Sequence, residues 1–455
     1  MSSPRELLAR AWWRAHPARP AAPHALLCES DRRSPDELRA LQAGALRELL
    51  RAAVTVPFYR ERLEACGLAP DRVRSVEDLV VLAPLERWDV QRLGVAGLSV
   101  PGARGLRLAS SGSTGRPLQV LRSLEMVAWI EASDRRAREW AGIRPGERIL
   151  EVTHMHARRT SPARLNRARV HGLAARLANT TTLHGDQLAD RGALRRLLES
   201  LERRPPALVR GVSNILYAAA LALAREGRRL EAKACWSGGA HLPEYYRQAI
   251  EMAFGAPVHE RYASFDTGAI AHHCPEARGF HLAAESVLVE IVRQDGGPAA
   301  PGDIGEVLVT TLRNRAMPLV RYRLGDLAEA PRDEVCPCGR GLPLLGRLIG
   351  RSNDRLRTAA GSHLAPEAVS QQMSRRSESI VEFQVTQRED LSLDVRVVQR
   401  DEPPAEPYRL SLAAALDELV GLAGAARVER VDELRLSRAG KLRHVVSHAK
   451  VGREA

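Results

Sequence analysis

Strand-sized apolar runs alternate with helical stretches through the centre of the chain. The apolar runs are Arg148–Val152, Ala207–Val209 and Ala234–Trp236, and the stretches between them, Leu188–Glu202 and Ser213–Glu226, have helical character. Alternation of this kind is typical of α/β domains, in which helices cover the faces of a largely parallel sheet. The sequence therefore predicts an α/β fold for this part of the chain.

The flanking segments have other patterns. Apolar residues at steps of three and four predict a helix from Ser34 to Leu50, and the segment from Leu106 to Gly115 has the pattern of a strand that runs into a Ser/Gly loop. From Ser286 onwards the chain becomes β-rich, with Gly/Pro turns between the runs. The elements predicted there and beyond Gly350 are strands 287–292, 305–310, 381–385, 391–398 and 426–431 and a helix over 408–420.

At 455 residues the chain is longer than one hydrophobic core usually supports, so at least two domains are expected. The change of pattern near Gly350 to Arg355 marks the boundary between them. We predict a large N-terminal domain (1–349) with α/β layers and a β-rich subdomain. A small α+β domain (350–455) is predicted to follow it.

The net charge of +13 comes almost entirely from arginine, because Lys233, Lys441 and Lys450 are the only lysines. The charge is spread along the chain and only 4% of the residues are aromatic, which argues against a nucleic-acid-binding surface. No apolar run approaches the length that spans a bilayer, and the N-terminus does not resemble a signal peptide. Six cysteines in 455 residues are too sparse for a disulfide framework. These features predict a cytoplasmic protein with reduced thiols and with neither a membrane nor a nucleic-acid partner.

Four short motifs carry most of the chemical information. The Ser/Gly loop Ser110–Pro117 lets backbone amides and hydroxyl groups approach a phosphate chain, and the carboxylate in Arg321–Leu327 could accept the hydroxyls of a ribose. The polar segment Gly350–Leu356 can absorb a backbone rotation, and Ser437–Arg443 carries one of the rare lysines. Each motif alone is equally compatible with a plain structural part: a flexible loop, a turn at the end of a strand, a linker or a solvated basic loop.

Together, in this order and spacing, the four motifs resemble the adenylate-forming superfamily of acyl-CoA ligases, adenylation domains and luciferases. The similarity is greatest to its phenylacetate–CoA ligase branch, and it extends from about Pro57 to Arg443. The resemblance implies a large adenylate-forming domain and a small mobile C-terminal domain that carries the adenylation lysine. It also implies an AMP-forming acid–thiol ligase, which activates a carboxylic acid with ATP and passes the acyl group to a thiol.

The resemblance implies a set of ATP contacts in the large domain. The β- and γ-phosphates are expected against the Ser/Gly loop, which consists of Ser110, Ser111, Gly112, Ser113, Thr114, Gly115 and Arg116. Gly239 and Ala240 are expected beside adenine, on which the ring of Tyr262 stacks, and Asp266 is expected to help hold Mg²⁺. The segment Tyr262–Asp266 departs from the usual Tyr-Gly-x-Thr-Glu of the superfamily, and Phe265 in particular lacks the hydroxyl that contributes nucleotide contacts.

The remaining roles that the resemblance implies fall near and beyond the domain boundary. Asp326 binds the ribose hydroxyls, Arg351 contacts ribose or phosphate, and Asn353 is the pivot about which the small domain rotates. Lys441 supplies the positive charge that adenylation needs, whereas Arg443 is a poor substitute for it.

Two cysteine motifs form a further candidate site. Cys274 and His281, together with Cys336 and Cys338, have the donor atoms and the paired spacing of a closed tetrahedral Zn²⁺ site. Some members of the ligase branch carry a similar structural site. The alternatives are unligated cysteines at turns, or a nitrogen ligand from His272 or His273.

The sequence leaves the acid and the acceptor open. The resemblance implies a small aromatic or heteroaromatic carboxylic acid, with an acyl pocket built partly by Thr153–His156. Coenzyme A is the simplest acceptor, and a carrier-protein phosphopantetheine or an amine is the alternative. Two other classes, a non-catalytic nucleotide-binding relative and a nucleic-acid binder, agree less well with the motifs, and a homodimer is compatible with the sequence.

Overall fold

A computed structural model describes most of the chain. The described residues are 20–75, 77–109, 118–153, 179–276, 279–293, 295–331, 336–376, 380–399, 406–434 and 442–449. By Cα proximity they divide into two compact units. The first comprises the described residues up to 239 together with 249–324 and 329–347, and the second comprises 240–248, 325–328 and the described residues from 348 onwards.

Within these residues the helices and strands follow one another in a mixed order. The α-helices are α1 (Ala21–Ser30), α2 (Pro35–Ala53), α3 (Pro57–Ala65), α4 (Arg87–Leu98), α5 (Leu124–Trp140), α6 (Gly185–Ala189), α7 (Arg191–Arg203), α8 (Ser213–Arg225), α9 (Glu244–Phe254), α10 (Pro366–Ser374) and α11 (Glu406–Val420). The first ten strands are β1 (Leu106–Ala109), β2 (Gln119–Arg122), β3 (Ile149–Thr153), β4 (Thr180–His184), β5 (Leu208–Gly211), β6 (Ala234–Gly238), β7 (Val258–Ser264), β8 (Gly268–His273), β9 (Phe280–Leu282) and β10 (Val287–Val292). The others are β11 (Ile304–Thr311), β12 (Tyr322–Glu329), β13 (Leu344–Leu345), β14 (Leu348–Arg351), β15 (Leu356–Arg357), β16 (His363–Leu364), β17 (Ile380–Gln387), β18 (Leu393–Gln399), β19 (Ala426–Arg430) and β20 (Val445–Ser447).

The first unit is organised around an eight-stranded sheet with the order β13-β9-β8-β7-β6-β5-β3-β4. The strands from β7 to β4 in this order are parallel, and β8, β9 and β13 continue the sheet in antiparallel fashion. Leu150, Val209 and Cys235 on neighbouring parallel strands are fully buried, as expected where helices cover both faces of a sheet. The predicted α/β construction is confirmed.

Local sequence signals account for several element boundaries. Helix α2 begins with a capping box, in which the Ser34 hydroxyl accepts from the backbone of Glu37 and the Glu37 carboxylate accepts from the backbone of Ser34. The helix predicted to begin at Leu188 is interrupted, because Asp190 leaves the helical conformation between α6 and α7 and caps the backbone amide of Ala193. In the β-rich segment, the predicted strands 287–292 and 305–310 correspond to β10 and β11, which pair antiparallel.

The second unit contains a four-stranded sheet with the order β19-β18-β17-β20. Strand β17 pairs antiparallel with β18 and parallel with β20, while β19 lies parallel to β18. The buried side chains of Phe383, Val395, Leu412 and Leu416, from two strands and from helix α11, belong to the core of this unit. In the same unit, β12 pairs with β14 so that Asp326 lies opposite Arg351.

Among the described residues, no helix is both long enough and apolar enough to cross a membrane. The assignment of separate roles to residues 1–349 and 350–455 stays a prediction.

Candidate active site

Two adjacent parallel strands of the large sheet end next to residues with predicted nucleotide contacts. Gly239 directly follows β6, and Phe265 and Asp266 directly follow β7. Because the carboxyl ends of parallel strands meet at one edge of a sheet, these segments share the edge where α/β proteins usually bind ligands. Gly239 has a φ of 82°, a left-handed conformation that suits glycine.

Asp266 is the centre of a polar network at this edge. Its side chain is only 6% exposed, and its Oδ2 accepts a hydrogen bond of 2.9 Å from the Tyr322 hydroxyl and one of 3.2 Å from Nη1 of Arg87. The same Arg87 nitrogen lies 3.4 Å from the Tyr322 oxygen. Burial and the neighbouring Asp266 charge raise the pKa of Tyr322, so this phenol remains a donor at any physiological pH.

The turn that carries Asp266 is fixed by the hydroxyl of Ser264. This oxygen accepts from the backbone amides of Asp266 at 3.1 Å and of Thr267 at 3.0 Å, and it lies 2.9 Å from the Thr267 hydroxyl. Such a turn orients the Asp266 side chain through local bonds. The two hydroxyl groups near Phe265 are therefore both engaged in holding the turn.

Arg122 places a second cation beside the turn. It donates to the carbonyl oxygen of Phe265, and its guanidinium carbon lies 5.6 Å from the centroid of the Phe265 ring. Burial, followed by the charge of Arg261, lowers the pKa of Arg122 from its usual value. Tyr262, on the same strand β7, is 8% exposed.

In the second unit, Asp326 and Arg351 form an ion pair across β12 and β14. Nε of Arg351 lies 3.3 Å from Oδ1 of Asp326, with side chains 56% and 18% exposed respectively. The pairing therefore brings together the two residues for which the resemblance implies ribose or phosphate contacts. Ala240 lies in the same unit and is partly buried.

A short turn after β14 is tied to the C-terminal end of the chain. Ser352–Asp354 forms a single 3₁₀ turn, and Asp354 in this turn makes an ion pair with Arg443. Burial raises the pKa of Asp354, and the Arg443 charge acts in the opposite direction. The residue before this arginine, Leu442, is 4% exposed. Arg443 is thus engaged in an ion pair within the second unit, and its poor suitability as a substitute for Lys441 stays a prediction.

Several predicted site residues lie outside the described part of the chain. These are the Ser/Gly loop (Ser110, Ser111, Gly112, Ser113, Thr114, Gly115 and Arg116), Lys441, the side chain of Asn353, and His154, Met155 and His156 of the predicted acyl-pocket segment. Their roles remain predictions from the sequence.

The structure brings the predicted zinc ligands together in the first unit. The donor atoms of Cys274, His281, Cys336 and Cys338 all lie within 4.8 Å of one another. The sulfur atoms of Cys274 and Cys336 are 3.4 Å apart, and Nε2 of His281 is 3.2 Å from the sulfur of Cys338. These are separations of ligands around one ion, since a disulfide requires about 2.05 Å between its sulfur atoms.

The geometry also decides among the three candidate histidines. Nδ1 of His281 lies 3.3 Å from the carbonyl oxygen of Leu342, a contact that fixes the ring and leaves Nε2 directed towards the cysteines. His272 instead bonds to Asp134 at 3.0 Å, and the ring of His273 packs against Phe280. His281 is therefore the histidine that completes the cluster.

Sequence reasoning did not find Arg87, Arg122 or the role of Tyr322. Tyr322 falls inside the Arg321–Leu327 motif, where only the carboxylate was considered. Arg87 precedes Asp266 by 179 positions, and in a chain with this much arginine nothing in its local sequence distinguishes it.

Known proteins are similar to this chain in both structure and sequence. The structure matches that of a 2-hydroxyisobutyryl-CoA ligase in its postadenylation state, in complex with an acyl-AMP. The TM-score is 0.73 at 19% identity, and the match covers 92% of this chain and 91% of the other. An anthranilate CoA ligase in complex with anthranoyl-AMP matches with a TM-score of 0.51 at 17% identity, over 74% and 64% of the two chains. This chain therefore shares the fold of these CoA ligases. The fold class predicted from the sequence is confirmed.

Sequence comparison adds relatives of one name that are similar to this chain over most of its length. No family model matches the chain. The phenylacetate–coenzyme A ligase of Thermus thermophilus is 29% identical over 376 residues, which cover 79% of this chain and 80% of that one. The protein of the same name from Escherichia coli is 28% identical over 365 residues, or 77% and 78% of the two chains. The resemblance to the phenylacetate–CoA ligase branch is confirmed, and the predicted enzyme class agrees with these names.

Proposed function

We propose that this chain uses ATP to convert a small carboxylic acid to an acyl-adenylate and then transfers the acyl group to the thiol of coenzyme A. The observation that carries the proposal is similarity to phenylacetate–coenzyme A ligases over nearly four fifths of both chains. The adenylate-forming fold supports the first half-reaction, because solved relatives with this fold hold acyl-AMP.

The proposed roles of the ATP-contacting residues are those that the resemblance to the superfamily implies. The Ser110–Arg116 loop receives the β- and γ-phosphates, Tyr262 and the Gly239–Ala240 segment receive adenine, and Asp326 receives the ribose. Arg351 pairs with Asp326 at 3.3 Å, so the two side chains are close enough to contact the same ribose phosphate unit.

Asp266 is the proposed Mg²⁺ ligand. It is a carboxylate, the donor that hard divalent cations prefer, and its orientation is set by the Ser264 turn and the Tyr322 hydroxyl. A bound Mg²⁺ neutralises phosphate charge and so lowers the repulsion between ATP and an incoming carboxylate. Asp reaches one methylene less than Glu, and Arg87 at 3.2 Å keeps this shorter side chain in a fixed position.

Adenylation is a displacement at the α-phosphorus, so the protein accelerates it by positioning the two anions and by offsetting their charge. Lys441 is the proposed source of positive charge at the carboxylate and the α-phosphate. In the sequence it directly precedes Leu442, which is buried, and Arg443, which makes an ion pair with Asp354.

The second half-reaction needs the lysine to leave and a thiol to enter. We propose the Ser352–Asp354 turn, with Asn353 at its centre, as the pivot for this change. Because Arg443 binds Asp354 in that turn, a rotation of the backbone there is transmitted to the segment that carries Lys441.

The experiment that tests the first half-reaction measures acid-dependent pyrophosphate release across a panel of carboxylic acids, beginning with phenylacetate. We expect Lys441→Ala to lose adenylation while it retains its fold. Lys233→Ala is the matched control, because that ammonium makes an exposed ion pair of 2.6 Å with Glu147. Equal activity of the two variants would show that the C-terminal lysine motif was misinterpreted.

A second assay separates the acceptors. The acyl-adenylate is formed with an active acid, and coenzyme A, a phosphopantetheinylated carrier protein or an amine is then added. We expect rapid consumption only with coenzyme A. If the acyl-adenylate were consumed rapidly only with another acceptor, the proposed adenylation would stand and the proposed transfer to coenzyme A would be wrong.

A further inference from the structure

A second group of potential metal ligands lies on the surface of the first unit, apart from the four-ligand cysteine cluster. It consists of His24 and Cys28 on helix α1 and Glu139 in the last turn of helix α5. His24 and Cys28 are four residues apart, so they project from the same face of α1. The three side chains therefore join two helices at one point.

The distances between the donor atoms agree with those around a single ion. Nε2 of His24 lies 2.9 Å from Oε2 of Glu139 and 3.7 Å from the sulfur of Cys28, and all three donors lie within 4.8 Å of one another. Tetrahedral ligands at normal zinc distances are separated by about 3.4 Å for nitrogen and oxygen and about 3.6 Å for nitrogen and sulfur. The two separations that involve His24 thus lie within about half an ångström of these values.

The carboxylate is oriented by a neighbouring cation. Oε1 of Glu139 accepts a bond of 2.9 Å from Nε of Arg135, which leaves Oε2 directed to His24. Metal-binding carboxylates commonly have such an outer partner, because it fixes the oxygen that faces the ion. The ion pair with Arg135 is therefore compatible with metal binding by the other oxygen.

We infer that His24, Cys28 and Glu139 form a second site for a divalent transition-metal ion, with Zn²⁺ as the best match to a nitrogen, sulfur and oxygen donor set. Three protein ligands leave one position of a tetrahedron for water. Cys28 is exposed, and the His24 and Glu139 side chains are 14% and 29% exposed, so an ion can enter from solvent. Bound there, the ion cross-links α1 to α5. The inference does not depend on the proposed acyl-CoA ligase activity.

The test is a zinc titration of the full-length protein, in which each variant first receives one equivalent of zinc for the proposed four-ligand cysteine site. We expect wild-type protein to bind one further equivalent, and expect His24→Gln and Cys28→Ser to lose it. Cys66→Ser is the matched control, because Cys66 is a partly buried thiol on another helix end, and it should keep the second equivalent.

A cobalt titration reports on the ligands directly. Co²⁺ bound through Cys28 should add thiolate-to-metal charge-transfer absorbance to that of the four-ligand site. This added absorbance should be absent in Cys28→Ser. Helical circular dichroism of each variant without added metal verifies that its fold is retained. The inference would be overturned if wild-type protein bound no second equivalent of zinc, or if both His24→Gln and Cys28→Ser still bound one.

Discussion

The Tyr322 hydroxyl donates a hydrogen bond of 2.9 Å to the Asp266 carboxylate. The two residues lie 56 positions apart, on the strand β12 and in the turn after β7. Burial raises the pKa of this tyrosine, so the bond keeps its donor and the carboxylate keeps its orientation. This geometry, at the edge of a parallel sheet where α/β proteins usually bind ligands, supports the proposed role of Asp266 as a Mg²⁺ ligand.

We expect Asp266→Asn to reduce the rate of acid-dependent pyrophosphate release by on the order of 10²-fold or more, because the amide cannot replace the charge of the carboxylate. The Mg²⁺ concentration at half-maximal rate should rise as well. Tyr322→Phe removes only a hydrogen bond, so its effect on the rate should be smaller, equivalent to roughly 1.5 kcal/mol or about tenfold. Asp303→Asn, at an exposed position, is the control. An unchanged Mg²⁺ dependence in Asp266→Asn would contradict the proposed role.

The order and type of the elements could be predicted from the sequence because local signals were strong. The apolar runs at β3, β5 and β6 were found, and the Ser34 cap placed the start of α2. The break at Asp190 could not be predicted from the spacing of apolar residues. That spacing does not show that the backbone changes direction at Asp190, where the side chain caps the amide of Ala193.

The candidate site was only partly predictable. Residues such as Asp266, Asp326 and Cys274 belong to motifs, whereas Arg87 and Arg122 reach the site from distant parts of the chain through tertiary packing. Their sequence context is ordinary, because arginine is the default cation of this protein. Phe265 was recognised as a departure from the superfamily pattern, and the structure adds that Ser264 and Thr267 hold the turn around it.

The cysteine cluster gives a prediction about metal content. Protein dialysed against a weak chelator should retain about one zinc per chain at Cys274, His281, Cys336 and Cys338. Burial raises the pKa of the Cys274 and Cys336 thiols, so without an ion these groups are neutral, and zinc binding releases their protons. Elemental analysis and proton release on zinc addition measure both effects. Cys336→Ser should lose the ion and Cys66→Ser should not, and a stable wild-type preparation without metal would refute the site.

The ion pair between Arg136 and Glu285 gives a prediction about stability. Both side chains are 1% exposed and make two bonds, of 2.6 and 3.3 Å. Glu285→Gln leaves a buried guanidinium without its full counter-charge, and we expect the free energy of unfolding to fall by about 3 kcal/mol. Denaturation followed by tryptophan fluorescence reports on this region, since Trp140 packs against Arg136. Asp295→Asn removes an exposed pair and should cost less than about 1 kcal/mol; equal losses would contradict the argument.

The buried His444 gives a prediction about pH. Burial lowers its pKa to about 3, and its Nε2 lies 3.3 Å from the Tyr246 hydroxyl, with Glu382 3.5 Å from the same hydroxyl. An exposed imidazole titrates near pH 6.5, so between about 6.5 and 3 the unfolded segment binds more protons than the folded one. The stability that the neutral ring contributes is thus complete above about pH 6.5 and declines as the pH falls, by at most roughly 1.4 kcal/mol per pH unit.

Because the described tryptophans all lie in the first unit, hydrogen exchange of the backbone amides in β17 and β20 is the suitable measurement. Protection there should decrease between pH 6.5 and 4.5 beyond the intrinsic rate change, and His444→Gln should remove this decrease. Tyr246→Phe removes the hydrogen bond and leaves the buried imidazole, so it should lower protection at every pH without altering the slope. If instead His444→Gln keeps the wild-type slope, proton uptake by this ring does not control the stability of the second unit.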